Sequence, residues 1–273
     1  MEMIFLQKLI MIGTGHGFVF DCYNTCFLMQ NDDKYFLIDT GGSAHIVQNL
    51  QKLNINLGQI HDIFISHCHT DHILGLFWIL KRLAGMIRSG KYEGSLNIYC
   101  NDEVANSIRN IYPNLFPNLY VDLITKYLNI VILNDNETKN IAGKDYTFFD
   151  VKARGNKLYG FETELDDNKK LVFLGDETCN PEIYDKIKNC DYVMHEAFCL
   201  DSEQDIFKPY EKHHSTVKSV CENFKDFNIK NLILFHTEDT HLNNRKELYL
   251  NEGKQYYSNN ILIPDDLEII ELN

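Results

Sequence analysis

The stretch ISHCHTDHILG, residues 65–75, places three histidines and an aspartate within six positions directly after an apolar segment. His67 and His69 are two positions apart and point the same way from an extended chain, while Asp71 and His72 follow at the turn into a helix. Imidazole nitrogens and carboxylate oxygens are ligands of divalent metals such as zinc. One such residue alone is explained by a polar loop or a hydrogen-bonded core histidine, but the cluster predicts a metal site.

Two more polar residues follow apolar segments in the same way. Asp176 follows the apolar residues of FLGDE, and His236 follows those of ILFHTE. Side chains at strand ends converge at one edge of a sheet, where binding sites collect. The pattern therefore predicts that His67, Asp176 and His236 lie close together.

The chain of 273 residues alternates strand-like and helix-like segments and shows no linker, low-complexity tract or repeat. We therefore predict one domain, residues 1–273. Strands are predicted at KLIMIG, CFLMQ, KYFLID, DIFIS, LNIYC, NIVILN, YTFFDV, YGFETE, KLVFLGD, YVMHEA, NLILFH and LEIIEL, and helices near residues 44–53, from about 73, and near 102–111, 181–188 and 216–227. Two β-rich halves with helices outside them predict an α/β fold of stacked sheets between helical layers.

Composition and charge restrict the class of protein. The 26 basic and 39 acidic residues give a net charge of −13, which works against non-specific binding of nucleic acid. No apolar run approaches the ~20 residues needed to span a bilayer. The apolar start, residues 1–13, is predicted to be a first strand because it lacks the cleavage site of a signal peptide. The eight cysteines are therefore expected to be thiols of a reducing compartment, and the protein cytoplasmic.

The motif HxHxDH, matched by His67, His69, Asp71 and His72, resembles that of the metallo-β-lactamase superfamily. Within it the chain is similar to the ribonuclease Z group, because IGTGHG, FLIDTGG, HEAF, HHST and LILFH occur in that group's order over nearly the whole chain. The resemblance implies a four-layer αββα sandwich with a metal centre at one edge.

The resemblance also implies a set of metal ligands, namely His67, His69, Asp71, His72, Asp176 and His236. Asp176 bridges two ions in this hypothesis, one held with His67 and His69 and the other with the remaining three residues. Zinc is the expected cofactor, as one or two ions. Manganese and iron are left open, because mixed nitrogen and oxygen ligands suit all three metals.

The catalytic candidates are Asp71, Glu196 and His214, where the resemblance implies that Glu196 and His214 form an acid/base pair beside the metals. His214 is chosen over His213 because it belongs to the HST part of the motif. Asp39 is implied to orient a ligand histidine, with a structural turn as an equal alternative.

Two features depart from the ribonuclease Z pattern. The histidine expected near Arg154, ahead of the strand YGFETE, is absent, so the first site keeps only three protein ligands. The interval between Arg154 and Asp176 is too short for the long flexible arm of members that process tRNA. Together with the acidic charge, this argues against tRNA as a substrate and favours a small phosphodiester or ester.

The favoured function is a metal-dependent hydrolase, a phosphodiesterase in which a metal-activated water attacks phosphorus and His214 protonates the leaving oxygen. A lactone or thioester hydrolase is the first alternative, because the metal motif does not specify the electrophile. A non-catalytic metal-binding sensor is the second, because the first site is reduced. No membrane partner is expected, and a homodimer is left open.

The remaining candidates are basic residues and histidines outside the ligand set. Arg154 and Lys157 are candidate phosphate contacts, although a solvated surface position is the favoured interpretation for each. His16 is placed near the mouth of the site. The other histidines without partners at an informative spacing are predicted to be surface residues, and these are His45, His61 and His241.

Overall fold

The computed structural model describes residues 7–272, which form two seven-stranded β-sheets flanked by helices. The strands are β1 (Gln7–Gly13), β2 (Cys26–Asn31), β3 (Lys34–Ile38), β4 (Ile60–Ile65), β5 (Leu96–Cys100), β6 (Leu128–Ile132), β7 (Glu137–Ile141), β8 (Lys144–Asp150), β9 (Tyr159–Glu164), β10 (Lys170–Phe173), β11 (Tyr192–Glu196), β12 (Asn231–Phe235), β13 (Asn260–Leu262) and β14 (Ile269–Glu271). The helices are α1 (His45–Lys52), α2 (Thr70–Arg88), α3 (Asp102–Leu115), α4 (Asn118–Tyr127), α5 (Tyr184–Ile187), α6 (Gln204–Phe207), α7 (Val217–Phe224) and α8 (Arg245–Gly253).

Each sheet joins an antiparallel part to a parallel part. The first has the order β14-β1-β2-β3-β4-β5-β6 and is parallel from β3 to β6. The second has the order β13-β12-β11-β10-β9-β8-β7 and is parallel from β10 to β13. Because parallel strands end at a common edge, the segments after β4, β10, β11 and β12 are well placed to build one site.

Aromatic side chains fill the layer between the sheets. The rings of Phe27 and Phe173 lie 5.1 Å apart, and those of Phe64 and Phe148 lie 4.9 Å apart. Burial of one such side chain contributes about 1.5–3 kcal/mol. The outer faces pack against α1 to α4 on one side and against α5, α7 and α8 on the other. The predicted αββα sandwich is therefore confirmed.

The start of α2 is fixed against the turn that follows β3. The amide of Gly75 donates to the carbonyl of Gly41 at 2.8 Å, and the amide of Thr40 donates to the carbonyl of His72 at 2.9 Å. A Cβ atom on Gly75 would lie 1.9 Å from the carbonyl oxygen of Thr40, so only glycine permits this approach. The contact brings the first turn of α2 beside Asp39.

The predicted strands are all present, and the predicted helices are found with shifted ends. The prediction that a helix starts near residue 73 was wrong by one turn, because α2 begins at Thr70. The sequence did not predict β7, β13, α4, α6 or α8. The part of the first predicted strand that falls on residues 1–6 lies outside the described residues. None of the helices described is long and apolar enough to cross a membrane.

Candidate metal centre

His67 and His69 leave β4 in an extended segment, and their ring centroids lie 4.4 Å apart. Nδ1 of His67 is 3.0 Å from the hydroxyl of Ser66, which leaves Nε2 to face Asp176 Oδ1 at 3.5 Å. His67 is buried, whereas His69 is exposed at the rim. The two-residue spacing thus presents two imidazoles to one point, as the sequence indicated.

Asp71 and His72 lie in the first turn of α2, and Asp39 orients His72. Asp39 Oδ2 is 2.7 Å from His72 Nδ1, so His72 Nε2 is turned toward Asp71 Oδ2 at 3.3 Å and Asp176 Oδ2 at 3.2 Å. Asp39 also accepts hydrogen bonds from the amide and the hydroxyl of Ser66, at 2.8 and 2.7 Å. Asp39, which is fully buried, therefore fixes the ring of His72 and the segment that carries His67.

Asp176 follows β10 and lies between the other predicted ligands. Its Oδ1 faces His67, and its Oδ2 lies 3.2 Å from His72 Nε2 and 3.5 Å from His236 Nε2. His236 follows β12 with a φ of 60°, and its Nδ1 is 3.2 Å from the hydroxyl of Thr25. One carboxylate thus faces both sets of histidines.

The side chains form two groups that share Asp176. In each group, one ligand atom from every residue lies within 4.8 Å of the others: Asp71, His72, Asp176 and His236 in the first, and His67, His69 and Asp176 in the second. Among the described residues, His67 Nε2 and Asp176 Oδ1 are buried without a hydrogen-bond partner. Such an atom costs about 1–3 kcal/mol when it is left unpaired, so this donor set fits a bound cation. We refer to the two groups as the four-residue group and the three-residue group.

The charges of the site also match a cation. Burial opposes ionisation of Asp176, but the imidazoles of His67 and His72 outweigh it and hold the pKa of this carboxyl well below its usual value. Burial lowers the pKa of His67 to about 4. For His72, burial is outweighed by the facing carboxylates, led by Asp71, and the pKa is raised well above its usual value. The buried carboxylates thus require positive charge beside them, which a divalent cation supplies.

The three-residue group has no counterpart of the histidine that was expected near Arg154. Among the described residues, none adds a fourth ligand atom to His67, His69 and Asp176. The amide of Arg154 donates to Glu177 Oε2 at 2.8 Å, and its side chain lines a separate cavity. The four-residue group is therefore the more complete of the two.

Glu196 and His214 lie beside these groups. Glu196 ends β11, is fully buried, and accepts a hydrogen bond from the amide of Ser215 at 2.6 Å. Its other oxygen lies 3.8 Å from Nδ1 of His214. Burial raises the pKa of Glu196 well above its usual value and lowers that of His214. His213 is exposed with a φ of 65°, so the structure brings His214 rather than His213 to the site.

A cavity of about 400 Å³ opens over the metal-ligand candidates and includes His214. His16 lines it, as expected, together with Phe18, Phe198 and Lys212. The ring of Phe198 stacks on His214 with centroids 4.9 Å apart, and its place in HEAF is a signal that could have marked it. Phe18 lies in a loop and Lys212 ends a short 3₁₀ helix, and no sequence pattern distinguishes either residue.

Lys157 and His241 lie outside the cavity. Lys157 donates to Asp102 at 2.6 Å on the surface and, like Arg154, does not line the cavity, which agrees with the surface interpretation. His241, which was predicted to be a surface residue, is only partly exposed and has a partner. Its Nε2 lies 2.6 Å from Glu203 Oε1, a pairing between distant segments that sequence spacing does not reveal.

Comparisons with known proteins agree with this geometry. Residues 7–257 match the protein family described as "Anti-Pycsar protein Apyc1". A ribonuclease Z of Thermococcus sibiricus is 24% identical over 267 residues, which cover 83% of this chain and 84% of the relative. The metallo-β-lactamase fold protein YhfI of Bacillus subtilis is 18% identical, with a TM-score of 0.78 over 97% of this chain and 99% of its own. A diphosphatase of the PhnP family is 17% identical, with a TM-score of 0.73 over 98% of this chain and 97% of its own. The resemblance to the metallo-β-lactamase superfamily and its ribonuclease Z group is therefore confirmed.

Proposed function

The chain belongs to the family described as Anti-Pycsar protein Apyc1, and from this premise we propose that it is a metal-dependent hydrolase that cleaves a small phosphodiester. The observation that carries the proposal is the pair of ligand groups that share Asp176, with buried donor atoms left unpaired at their centre. A purely structural cluster would pair those atoms within the protein.

The ligand types suit zinc, with manganese or iron as alternatives. Two such ions, when bound, supply a water that ionises near neutral pH and positive charge for a phosphate group. Asp176 and Asp71 contribute negative charge and fix the positions of the cations. Asp39 keeps the Nδ1 proton on His72, so that Nε2 remains available as a ligand atom.

His214 is the proposed proton donor to the leaving oxygen. It lines the cavity but belongs to neither ligand group, and its ring centroid lies 5.2 Å from that of His236. The stacked ring of Phe198 holds its orientation, and Glu196 Oε2 lies 3.8 Å from its Nδ1. An imidazole held in this way can deliver a proton without contributing to metal binding.

Bound cations would supply the positive charge that a phosphodiester needs in this cavity. Lys212 is the one lysine or arginine among the described residues that line this cavity, so an anionic substrate depends largely on the cations held by Asp176 and its neighbours. The ribonuclease Z and diphosphatase relatives support the same chemical class.

A small substrate is supported by the connection between β9 and β10. These strands pair directly and are joined by a short turn around Asp166–Asn168, so residues 159–173 leave no length for an RNA-binding arm. The net charge of −13 further disfavours a polyanion such as tRNA.

The test is hydrolysis by chelator-treated protein after addition of zinc or manganese. We expect turnover of bis-p-nitrophenyl phosphate, loss of that turnover in Asp176→Asn, and little turnover of a lactone or a thioester. Preference for the lactone or thioester would assign the first alternative function. Absence of any metal-dependent turnover, with the metal bound, would assign the sensor function.

A further inference from the structure

Glu203, Glu238 and His241 form a third cluster of potential metal ligands, which shares no residue with the two groups around Asp176. One ligand atom from each lies within 4.8 Å of the others. Glu203 belongs to the turn that follows β11, whereas Glu238 and His241 belong to the loop that follows β12. The cluster thus joins two segments that are distant in sequence.

Glu238 is the unusual member, because its side chain is only 1% exposed. One carboxylate oxygen accepts hydrogen bonds from the amide and hydroxyl of Thr240. The other oxygen, Oε1, is buried and has no hydrogen-bond partner among the described residues, and the same is true of Oε2 of Glu203. Two carboxylate oxygens therefore lie in protein without a donor, although such atoms are normally satisfied.

The surrounding charges do not compensate for these carboxylates. Within residues 7–272, neither Glu203 nor Glu238 forms an ion pair with a lysine or arginine, and His241 is the partner of Glu203 at 2.6 Å. The buried Arg245 directs its guanidinium to Thr14, Thr237, Pro264 and Asp265 instead. Two carboxyl groups thus face one imidazole. Buried charge without a counter-ion is costly, so the cluster calls for a cation.

We propose that Glu203, Glu238 and His241 bind a divalent cation at a site separate from the centre that contains Asp176. One imidazole and two carboxylates suit zinc or manganese, with water completing the coordination. Ligand atoms of one zinc ion at about 2.0–2.2 Å lie at most about 4.4 Å apart, so small rotations of the half-buried Glu203 and His241 are sufficient.

The site has a structural role, because it fastens the loop after β12 to the turn after β11. Glu238 lies two residues after His236, and its amide donates to the carbonyl of Phe198 at 2.8 Å. A cation bound here therefore fixes the backbone of the residues that follow His236. The proposal does not depend on the hydrolytic function.

The experiment measures the number of bound zinc ions on the purified 273-residue chain, which is stripped with chelator and titrated with zinc against a chromophoric competitor. We expect Glu238→Gln and His241→Gln each to bind one zinc ion fewer than the unchanged protein. Glu247→Gln removes the same charge from an exposed position in α8 and should bind the full number. Asp176→Asn should retain one ion, which the double variant Asp176→Asn with His241→Gln should lose.

Equal zinc counts for the unchanged protein, Glu238→Gln and His241→Gln would overturn the proposal, as would an Asp176→Asn variant that binds no zinc. If Glu238→Gln does not fold, His241→Gln and Glu203→Gln decide the question, because both side chains are only half-buried and tolerate the change. Zinc should also raise the unfolding temperature of Asp176→Asn, and this increase should disappear in the double variant.

Discussion

Replacement of His214 by asparagine tests the assignment of the proton donor, because it separates chemistry from metal binding. The ring lies against Phe198 and near His236, with centroid distances of 4.9 and 5.2 Å, but it is absent from both ligand groups. We therefore expect His214→Asn to keep its bound metal and to lose the group that protonates the leaving oxygen.

The expected loss is a factor of about 10²–10⁴ in kcat for a phosphodiester, the usual contribution of a positioned acid or base. In free energy this corresponds to about 2.7–5.4 kcal/mol of transition-state stabilisation, at 1.36 kcal/mol per tenfold change. A fast-leaving nitrophenolate should show a smaller loss than an alkyl leaving group, since it needs less protonation. The assay is steady-state hydrolysis of both substrates, with metal analysis of the same samples.

His213→Asn is the matched control. This neighbouring histidine is exposed and has a φ of 65°, a left-handed conformation that asparagine tolerates, so its replacement should change neither rate nor metal content. An unchanged rate in His214→Asn would remove His214 from the mechanism. Loss of metal would instead make it the ligand that replaces the missing histidine of the three-residue group.

Three further outcomes are expected. His236→Ala should cost more bound metal than His67→Ala, because His236 belongs to the buried four-residue group; metal analysis with the reverse order would refute this ranking. Asp39→Asn should weaken metal binding about 10–100-fold, since an asparagine amide has one acceptor oxygen and cannot accept hydrogen bonds from both the amide of Ser66 and Nδ1 of His72. Equal affinities in a competition titration would contradict the role of Asp39 in orienting His72. Gly75→Ala should destabilise the protein by about 1–3 kcal/mol, because the added Cβ meets a backbone oxygen at 1.9 Å; urea unfolding at an unchanged midpoint would show that the contact relaxes.

The residues around the site could be predicted because each follows a recognisable strand. His67, Asp176 and His236 follow the ends of β4, β10 and β12 within three residues, and the ends of these strands lie close together. A polar residue at a strand end therefore predicts a position in the site, because the sandwich brings strand ends together whatever their separation in sequence.

Other elements depended on contacts that a local pattern does not contain. Strand β7 is the polar sequence ETKNI at a sheet edge, and β13 has only three residues, so both are defined by pairing with a neighbour. Helix α8, RKELYLNEG, has four charged residues among its nine and buries few of the nine, among them Tyr249. These segments lack the periodicity that marks an amphipathic element.

The third cluster shows the same limit for side chains. Glu203 ends a short 3₁₀ helix, His241 lies in a loop 38 residues later, and no motif links them. Glu238 follows His236 closely, yet an acidic residue in a loop is ordinarily solvated. Only the packing of the two loops makes its burial evident.

Anomalous diffraction from zinc-loaded crystals tests most directly whether Asp176 joins two metal ions. We expect two peaks, each about 2.0–2.2 Å from an oxygen of Asp176, with lower occupancy beside His67 and His69 than beside His72 and His236. A single ion at Asp176 would contradict the bridging role, and zinc found only away from Asp176 would contradict the metal centre itself.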